Sequence, residues 1–251
     1  MKHVDALPNG FSHRDDEQPR PLAEALDLGF RFVEMDVWYV FGRVLVAHDP
    51  QDLRPWNTLQ RLYLDPLRAL QRDGRIGGQD PIWLFVDTKT RANPMHGALE
   101  RLARAYDDVV ADPASDQDER PVRLLLTGNR PSYERLERTP ERRTALDGRL
   151  PDVGVRTDVR MVPVISDHWK KHFAWRGVGP MPEAERTRLR GLVATAHASG
   201  QRVRFWATPD APGPERDAVW ATLLDEGVNL INTDDLHGLA SFLRSRQPAT
   251  S

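Results

Sequence analysis

The chain alternates short apolar runs with longer stretches in which apolar residues recur at helical spacing. Runs such as Ile82–Val86 and Val122–Leu126 are continuously apolar apart from one charge, which is typical of strands covered on both faces of a parallel sheet. Thr58–Arg72 and Glu183–Ser199 instead have the period of amphipathic helices, and the second is followed by Gly200 as a helix stop. The pattern predicts an α/β protein.

Strand and helix alternate eight times if a weak first strand near Phe11 and a weak fifth strand at Thr144–Leu146 are counted. Eight such units in 251 residues match the size of a (β/α)₈ barrel. We therefore predict a single TIM-barrel domain over residues 1–251, with a β-hairpin inserted after strand 2. An open doubly wound sheet is the alternative, although no GxGxxG segment follows the first strand, which argues against its dinucleotide-binding version.

The stretch Arg31–Pro50 departs from the apolar pattern because Glu34 and Asp36 interrupt its strand. Side chains alternate along a strand, so both carboxylates point to one side, where a cation would relieve their repulsion. Mg²⁺ and Ca²⁺ prefer such oxygen ligands. The chain then turns back at Phe41-Gly42-Arg43 and brings His48 over this predicted metal site. Alternatively, the carboxylates form the solvent face of an edge strand and His48 is a loop histidine.

Further polar side chains fall at the ends of predicted strands. In a barrel these ends meet on one face, where active sites are built. The candidates are His13 and Arg14 after the first strand, Asp87 and Lys89 after the third, Asn129 after the fourth, Asp167 and His168 after the sixth, Trp206 on the seventh, and Asp234 after the eighth. Structural roles are the alternatives for three of them: Arg14 as a partner of Asp15 or Asp16, Lys89 as a loop charge, and Trp206 as a core residue.

Composition narrows the classes of partner. A net charge of −2 gives no reason to expect nucleic-acid binding, and the lack of cysteine excludes disulfides, thiolate chemistry and Cys-ligated zinc. No apolar run approaches the roughly 18 residues of a membrane span. The N-terminal sequence has no apolar core of a signal peptide, so we expect a cytoplasmic protein, although a trimmed secreted form would look the same. We also expect the protein to be a monomer.

The segment HWKKHFAWR, residues 168–176, is basic and aromatic. We interpret it as a surface loop. The alternative is transient contact with a membrane surface through Trp169, Phe173 and Trp175.

Four short motifs occur in register with the predicted strands: Ser12-His13-Arg14-Asp15, Glu34-Met35-Asp36, Ala47-His48-Asp49 and Asp87-Thr88-Lys89. In this order they resemble the PLC-like phosphodiesterase superfamily, particularly its metal-dependent glycerophosphodiester phosphodiesterases and sphingomyelinases D. The C-terminal stretches Arg204–Thr208 and Glu226–Asp234 are similar to the last two barrel strands of that family. SHRD, EMDVW and TGNRP are also similar to the SHND, EADVW and TGNRP motifs of microbial phospholipase-C-like proteins grouped with the fungal altered inheritance of mitochondria family.

The resemblance implies that Glu34, Asp36 and Asp87 bind one Mg²⁺ or Ca²⁺ and that His13 and His48 are the acid and base. Arg14, Lys89, Asn129 and Trp206 would contact the phosphate or the rest of the substrate. The implied reaction is cleavage of a P–O bond in a glycerophosphodiester or phospholipid headgroup, through a cyclic phosphate if a substrate hydroxyl attacks. The chain departs from the family at Asp15, where glycine is usual, and at Asp87, where glutamate is frequent.

Two rival functions remain. One is a barrel that binds a phospholipid or phosphate ligand without turnover, which would not need two titrating histidines. The other is a metal-independent phosphatidylinositol phospholipase C, in which an arginine replaces the metal. The three carboxylates argue against that version.

Overall fold

Across residues 5–77, 80–113 and 118–247, which the computed structural model describes, nine strands form one sheet. They are β1 (Gly10–Ser12), β2 (Phe32–Val40), β3 (Arg43–Val46), β4 (Ile82–Thr88), β5 (Val122–Gly128), β6 (Thr144–Gly148), β7 (Val164–His168), β8 (Arg202–Trp206) and β9 (Leu230–Thr233). Their order is β1-β9-β8-β7-β6-β5-β4-β2-β3, and β1 also pairs with β2, which closes the eight parallel strands into a barrel. The predicted (β/α)₈ fold is confirmed, and the open doubly wound sheet is wrong.

The helices that follow these strands are α1 (Ala23–Leu28), α2 (Asp65–Arg72), α3 (Ala92–Ala105), α4 (Tyr133–Glu137), α5 (Trp169–His172), α6 (Glu183–Ala198), α7 (Pro214–Asp225) and α8 (Leu236–Ser245). A π-helical segment, Gln60–Leu64, precedes α2, which has Pro66 in its first turn, where a missing N–H costs nothing. In the described ranges no helix has the length and apolar character to cross a bilayer.

The extra strand β3 confirms the predicted hairpin after strand 2. It runs antiparallel to β2, with Val40 opposite Arg43 and Val37 opposite Val46. The two-residue turn between the strands is Phe41-Gly42, and both residues have positive φ, 47° and 78°. Such a turn matches the right-handed twist of its strands, so the hairpin register is fixed by the turn.

The chain clusters into two compact units. One, here called the β2–β5 unit, comprises residues 13–26 and 31–146, and its core includes the fully buried Tyr63 and Phe85. The other, here called the β7–β9 unit, comprises the residues up to Ser12, residues 27–30 and those from Asp147 onward. Every predicted metal ligand and both predicted catalytic histidines belong to the β2–β5 unit.

The aromatic segment at residues 168–176 is a correction to the sequence analysis. Trp169, Phe173 and Trp175 are buried, with 0%, 2% and 7% of their surface exposed. Trp169 stacks on Phe173 at 4.2 Å between ring centroids, and its indole N–H donates to the Trp175 carbonyl at 2.9 Å. These rings are core of the β7–β9 unit, so the segment is neither the predicted surface loop nor a lipid contact. The surface-loop prediction was wrong because α5 is only one turn long, which is too short to show a helical period in the sequence.

Ion pairs and hydrogen bonds around Asp118 and Arg120 hold the chain just before β5. Asp118 accepts from the Arg120 side chain and, at 2.6 Å, from the backbone N–H of Asp112, while Arg120 also reaches Asp107 at 2.7 Å. Burial alone would raise the pKa of Asp118, but these hydrogen bonds outweigh it and lower the pKa from 3.8 to about 2. The carboxylate therefore stabilises the fold in its ionised form.

We predict that Asp118→Asn lowers the free energy of unfolding at pH 7 by about 1 to 3 kcal/mol, the usual value of hydrogen bonds to a charged group. Because the folded pKa lies below the unfolded one, the stabilisation is complete above pH 3.8 and disappears as the pH falls through about 2. Urea unfolding between pH 2 and 7 should show wild type and variant converging at the acid end. The exposed Asp73→Asn is the control, expected within about 0.5 kcal/mol of wild type at every pH. A constant difference across the range would contradict the prediction.

Candidate active site

The acidic pair on β2 is buried. Glu34 and Asp36 are only 5% and 4% exposed, and β2 is an interior strand, paired with β4 on one side and with β3 and β1 on the other. The alternative that they form the solvent face of an edge strand is therefore wrong. In the parallel register Asp36 lies directly opposite Asp87 on β4, which places the two carboxylates side by side.

Lys89 lies between these two carboxylates. Its Nζ is 3.1 Å from Asp36 Oδ1 and 3.1 Å from Asp87 Oδ2, so the alternative of a simple loop charge is wrong. The spacing of two from Asp87 puts both side chains on the same face, and the backbone N–H of Lys89 donates to the Val37 carbonyl at 2.9 Å. Burial would lower the pKa of Lys89, but the charges of Asp87 and Asp36 overcome it and raise that pKa.

His48 contacts the other oxygen of Asp36. Its Nδ1 lies 2.6 Å from Asp36 Oδ2, and about a third of the imidazole is exposed. Two hydrogen bonds fix the preceding residue: Ala47 N–H donates to the Asp36 carbonyl at 3.1 Å, and the Trp38 indole N–H donates to the Ala47 carbonyl at 2.9 Å. The hairpin thus positions the imidazole beside the carboxylate as the sequence predicted, and Trp38 is a positioning residue that the sequence analysis missed.

His13 and Arg14 follow β1 directly and are half-buried. Arg14 has a positive φ of 47°, which turns the chain sharply after His13. Its guanidinium pairs with Glu17 at 3.6 Å in an exposed contact, whereas the structural alternative named Asp15 or Asp16 as its partner. Exposed pairs of this kind contribute little to stability, and the substrate role of Arg14 stays a prediction.

The departure from the family at Asp15 has a structural reason. Asp15 is completely buried, and its Oδ2 accepts from the Leu22 N–H at 2.5 Å and from the Tyr63 hydroxyl at 3.0 Å. Burial and the charge of Asp15 raise the pKa of Tyr63 well above its usual value, so the phenol stays protonated as a donor. Asp15 therefore anchors the loop that carries His13 to the segment before α2.

Asp16 is a member of the site that sequence reasoning missed. Its Oδ1 accepts from the backbone N–H of Asp36 at 3.2 Å, and burial together with the Asp36 charge raises its pKa to about 7. The signal available in the sequence was the acidic run Asp15-Asp16-Glu17, which follows His13 and Arg14 directly.

Asn129 supports the site through the backbone. Its side-chain amide donates to the Lys89 carbonyl at 3.2 Å, and its own N–H donates to the Thr88 carbonyl at 2.9 Å. The preceding Gly128 has a φ of 67°, and a Cβ there would lie 2.0 Å from Asp87 Oδ1. Glycine is therefore required for Asp87 to keep its position, which accounts for the TGN sequence at this strand end.

The remaining candidates belong to the β7–β9 unit. Trp206 is half-buried at the end of β8 and packs edge-on against His168 at 4.4 Å between ring centroids. Asp167 accepts from the N–H of His168 at 2.7 Å and lies 3.3 Å from His172 Nε2. The Asp234 N–H donates to the Asp210 carboxylate at 2.8 Å. The role of Trp206 as a substrate wall stays a prediction.

The chemistry of the acidic cluster suits a hard divalent cation. Burial and then the charge of Glu34 raise the pKa of Asp87, with a smaller contribution from Asp36 and in spite of Lys89. Within residues 5–77, 80–113 and 118–247, no three acidic or histidine side chains form an assembled metal site. The carboxylates of Glu34, Asp36 and Asp87 are oxygen ligands of the kind that Mg²⁺ and Ca²⁺ prefer, and metal binding by these three residues stays a prediction.

Comparisons with known proteins agree with this fold and these motifs. Residues 2–77 match the model of the AIM6-like phosphodiesterase domain, and residues 202–237 match that of the glycerophosphoryl diester phosphodiesterase family. A crystal structure of a glycerophosphodiester phosphodiesterase from Parabacteroides distasonis superimposes with a TM-score of 0.55 at 16% identity, covering 97% of each chain. At that identity the superposition shows the fold alone. Together, the matches confirm the resemblance to the PLC-like phosphodiesterase superfamily.

Fungal proteins named altered inheritance of mitochondria protein 6 are similar to this chain over most of its length. The one from Eremothecium gossypii is 28% identical over 96% of this chain and 71% of its own length. That from Saccharomyces cerevisiae is 25% identical over 96% of this chain and 72% of its own length. The similarity predicted from the SHRD, EMDVW and TGNRP motifs is thus confirmed.

We predict that Tyr63→Phe lowers the free energy of unfolding by about 1 to 3 kcal/mol, because it removes a donor from the fully buried Asp15 carboxylate. Chemical denaturation at pH 7 measures the effect. Tyr39→Phe is the matched control: its hydroxyl accepts from the exposed Arg101 guanidinium at 3.3 Å, and the change should stay within about 0.5 kcal/mol. Equal effects of the two substitutions would show that Asp15 does not depend on Tyr63.

Proposed function

We propose that the protein is a metal-dependent phosphodiesterase that cleaves a P–O bond of a glycerophosphodiester or phospholipid headgroup. The observation that carries the proposal is the shared Asp36 carboxylate, with Lys89 at 3.1 Å on one oxygen and His48 Nδ1 at 2.6 Å on the other. This arrangement combines an oriented proton carrier with a cationic group beside buried carboxylates. A binder without turnover would not need the imidazole to be held in one orientation.

His48 is suited to proton transfer at Nε2. An ionised Asp36 accepts the proton of Nδ1, so neutral His48 presents the lone pair of Nε2 as a base. The same carboxylate stabilises the imidazolium that forms when Nε2 takes up a proton. The contact with Asp36 therefore sets both the orientation of the ring and its tautomer.

His13 is the second proton carrier of the proposal. One histidine removes a proton from the attacking water or substrate hydroxyl as the new P–O bond forms. The other donates a proton to the leaving alkoxide as the old P–O bond breaks, and the two roles are exchangeable between His13 and His48. The anchor through Asp15 and Tyr63 holds the His13 loop in place for this role.

Glu34, Asp36 and Asp87 would hold the divalent cation, which when bound neutralises charge on the nonbridging phosphate oxygens as a Lewis acid. Lys89 and Arg14 add donors for the same oxygens, since charge accumulates there in the transition state. Lys89 already offsets part of the carboxylate charge in this structure. Asn129 fixes the backbone carbonyl of Lys89 and so supports the position of its side chain.

We expect Mg²⁺ or Ca²⁺ at a hundredfold excess over its dissociation constant to stabilise the fold by about 2.7 kcal/mol, a shift of roughly 5 to 10 °C in Tm. Glu34→Gln should abolish the shift, whereas the exposed Asp49→Asn beside His48 should keep it. Turnover of a chromogenic phosphodiester should stop with chelator and return with the same ion. Full activity in chelator would contradict metal dependence, and a Tm shift without any turnover would favour the non-catalytic binder.

We predict that His13→Ala and His48→Ala each lower kcat by about 10² to 10⁴, the usual contribution of a general acid or base. His13 is partly exposed, so His13→Ala should change stability by less than about 1 kcal/mol. His48→Ala also removes the hydrogen-bond partner of the buried Asp36 carboxylate and should cost about 1 to 3 kcal/mol. The exposed His237→Ala is the control and should keep wild-type rates. Near wild-type turnover in both histidine variants would show the acid and base assignment to be wrong.

Phosphorus NMR of the wild-type reaction distinguishes a cyclic phosphate from the acyclic monoester as first product.

A further inference from the structure

The tip of the β2–β3 hairpin carries a large apolar side chain in full contact with solvent. Phe41 is 100% exposed, whereas the other large apolar residues exposed in the described ranges, Trp56, Val155, Val159 and Val178, range from 39% to 73%. Exposed apolar residues are ordinary in isolation. The position of this one is not, because a two-residue turn normally places Asn, Asp or Gly there.

Phe41 adopts a backbone conformation that is unfavourable for its side chain. Its φ of 47° lies in the left-handed region, where a bulky residue is an outlier and Asn or Gly is preferred. Gly42, with φ 78°, meets the same requirement of the turn without strain. The sequence therefore places an aromatic ring at the tip although both hydration and backbone conformation oppose it, which indicates a role for the ring outside the folded chain.

Exposed arginines lie on the hairpin and on two segments that contact its outer half. Arg43 is exposed directly after the turn. Exposed Arg91 follows Thr90, whose hydroxyl accepts from the Tyr39 N–H at 3.1 Å, and exposed Arg101 donates to the Tyr39 hydroxyl at 3.3 Å. We call Arg43, Arg91 and Arg101 the cationic collar. Val37–Val46 and Lys89–Leu99, which carry Arg43 and Arg91, contain no acidic residue, and the acidic neighbour of Arg101, Glu100, is buried.

We propose that the hairpin tip is an anchor for an anionic lipid surface, with Phe41 inserted among the acyl chains at the interface and the cationic collar against the headgroups. Membrane-surface segments combine an apolar side chain buried about 5 to 10 Å deep with Lys or Arg near anionic lipids. A protein partner fits less well, since one Phe ring buries about 200 Å² and a stable protein interface needs about 800 Å² per side.

The anchor is linked to the active site by a single strand. Asp36 and Phe41 are five residues apart on β2 and its turn, which corresponds to about 17 Å of extended chain. The strand that carries the predicted metal ligands thus also carries the anchor. The anchor proposal depends on the proposed function in one respect, the identity of the surface. A phosphodiesterase that acts on phospholipids would meet its substrate at a lipid surface.

Sedimentation of the full chain with vesicles tests the proposal without any turnover. Wild type should bind phosphatidylcholine vesicles containing 30% phosphatidylglycerol. Phe41→Asn should lower the partition coefficient about tenfold, and Arg43→Gln should lower it several-fold on the anionic vesicles only. Val178→Ser, which removes another exposed apolar side chain from the β7–β9 unit, should bind as wild type does.

Phe41→Asn should also fold at least as stably as wild type, because Asn tolerates the left-handed conformation, so a loss of binding cannot be attributed to unfolding. Its turnover of a small water-soluble diester should be unchanged, since Phe41 has no part in the proposed catalysis. If neither wild type nor Phe41→Asn hydrolysed the soluble diester, the proposed function would be overturned. The anchor would still be supported by the difference between the two proteins in vesicle binding. Equal vesicle binding by wild type and Phe41→Asn would overturn the anchor, as would a wild-type dimer in light scattering that Phe41→Asn converts to monomer.

Discussion

The shared carboxylate of Asp36 is the interaction on which the candidate site depends. It lies next to Asp87 in the parallel register of β2 and β4, close to Glu34 and Asp16, so four acidic groups are concentrated where water is largely excluded. Such a cluster is unfavourable unless cations or protons offset it. Lys89 offsets part of it, and burial together with the neighbouring carboxylates raises the pKa of Asp87 and of Asp16. The crowding of these carboxylates is the physical reason to expect a divalent cation.

Hydrogen bonds hold the segments on which the site is built. His48 is brought to Asp36 by a hairpin whose register is fixed by its two-residue turn, and the indole of Trp38 holds the residue before it. On the other side, Asp15 and Tyr63 hold the loop of His13. The family's glycine after His-Arg is therefore replaced by a buried anchor. Both proposed proton carriers depend on groups that do not themselves take part in proton transfer.

In the hairpin, the conformational preference of the turn opposes the residue that the chain places at its tip. A turn of this geometry is most stable with Asn or Asp before the glycine, and the chain has Phe41 instead. The strain and the exposure of this ring are the grounds for proposing that it acts outside the fold. A site for lipid diesters would benefit from an anchor on the strand that carries its carboxylates. The buried aromatic rings of residues 168–176 have no such role, although their composition resembles that of a membrane contact more closely.

Several properties of the protein were determined by the sequence alone, because they follow from periodicity. The eight alternating units defined the barrel, the spacing of Glu34 and Asp36 placed both on one face, and the spacing of Asp87 and Lys89 did the same. The hairpin was predictable from Phe41-Gly42-Arg43. Tertiary structure alone decided the contacts between segments distant in the chain: His48 Nδ1 on Asp36, Lys89 between Asp36 and Asp87, and Tyr63 on Asp15. Burial was also a tertiary outcome, since it depends on what covers a residue. Burial places Asp16 within the candidate site and Trp169 in the core. No local pattern in the sequence encodes which surfaces other segments will cover.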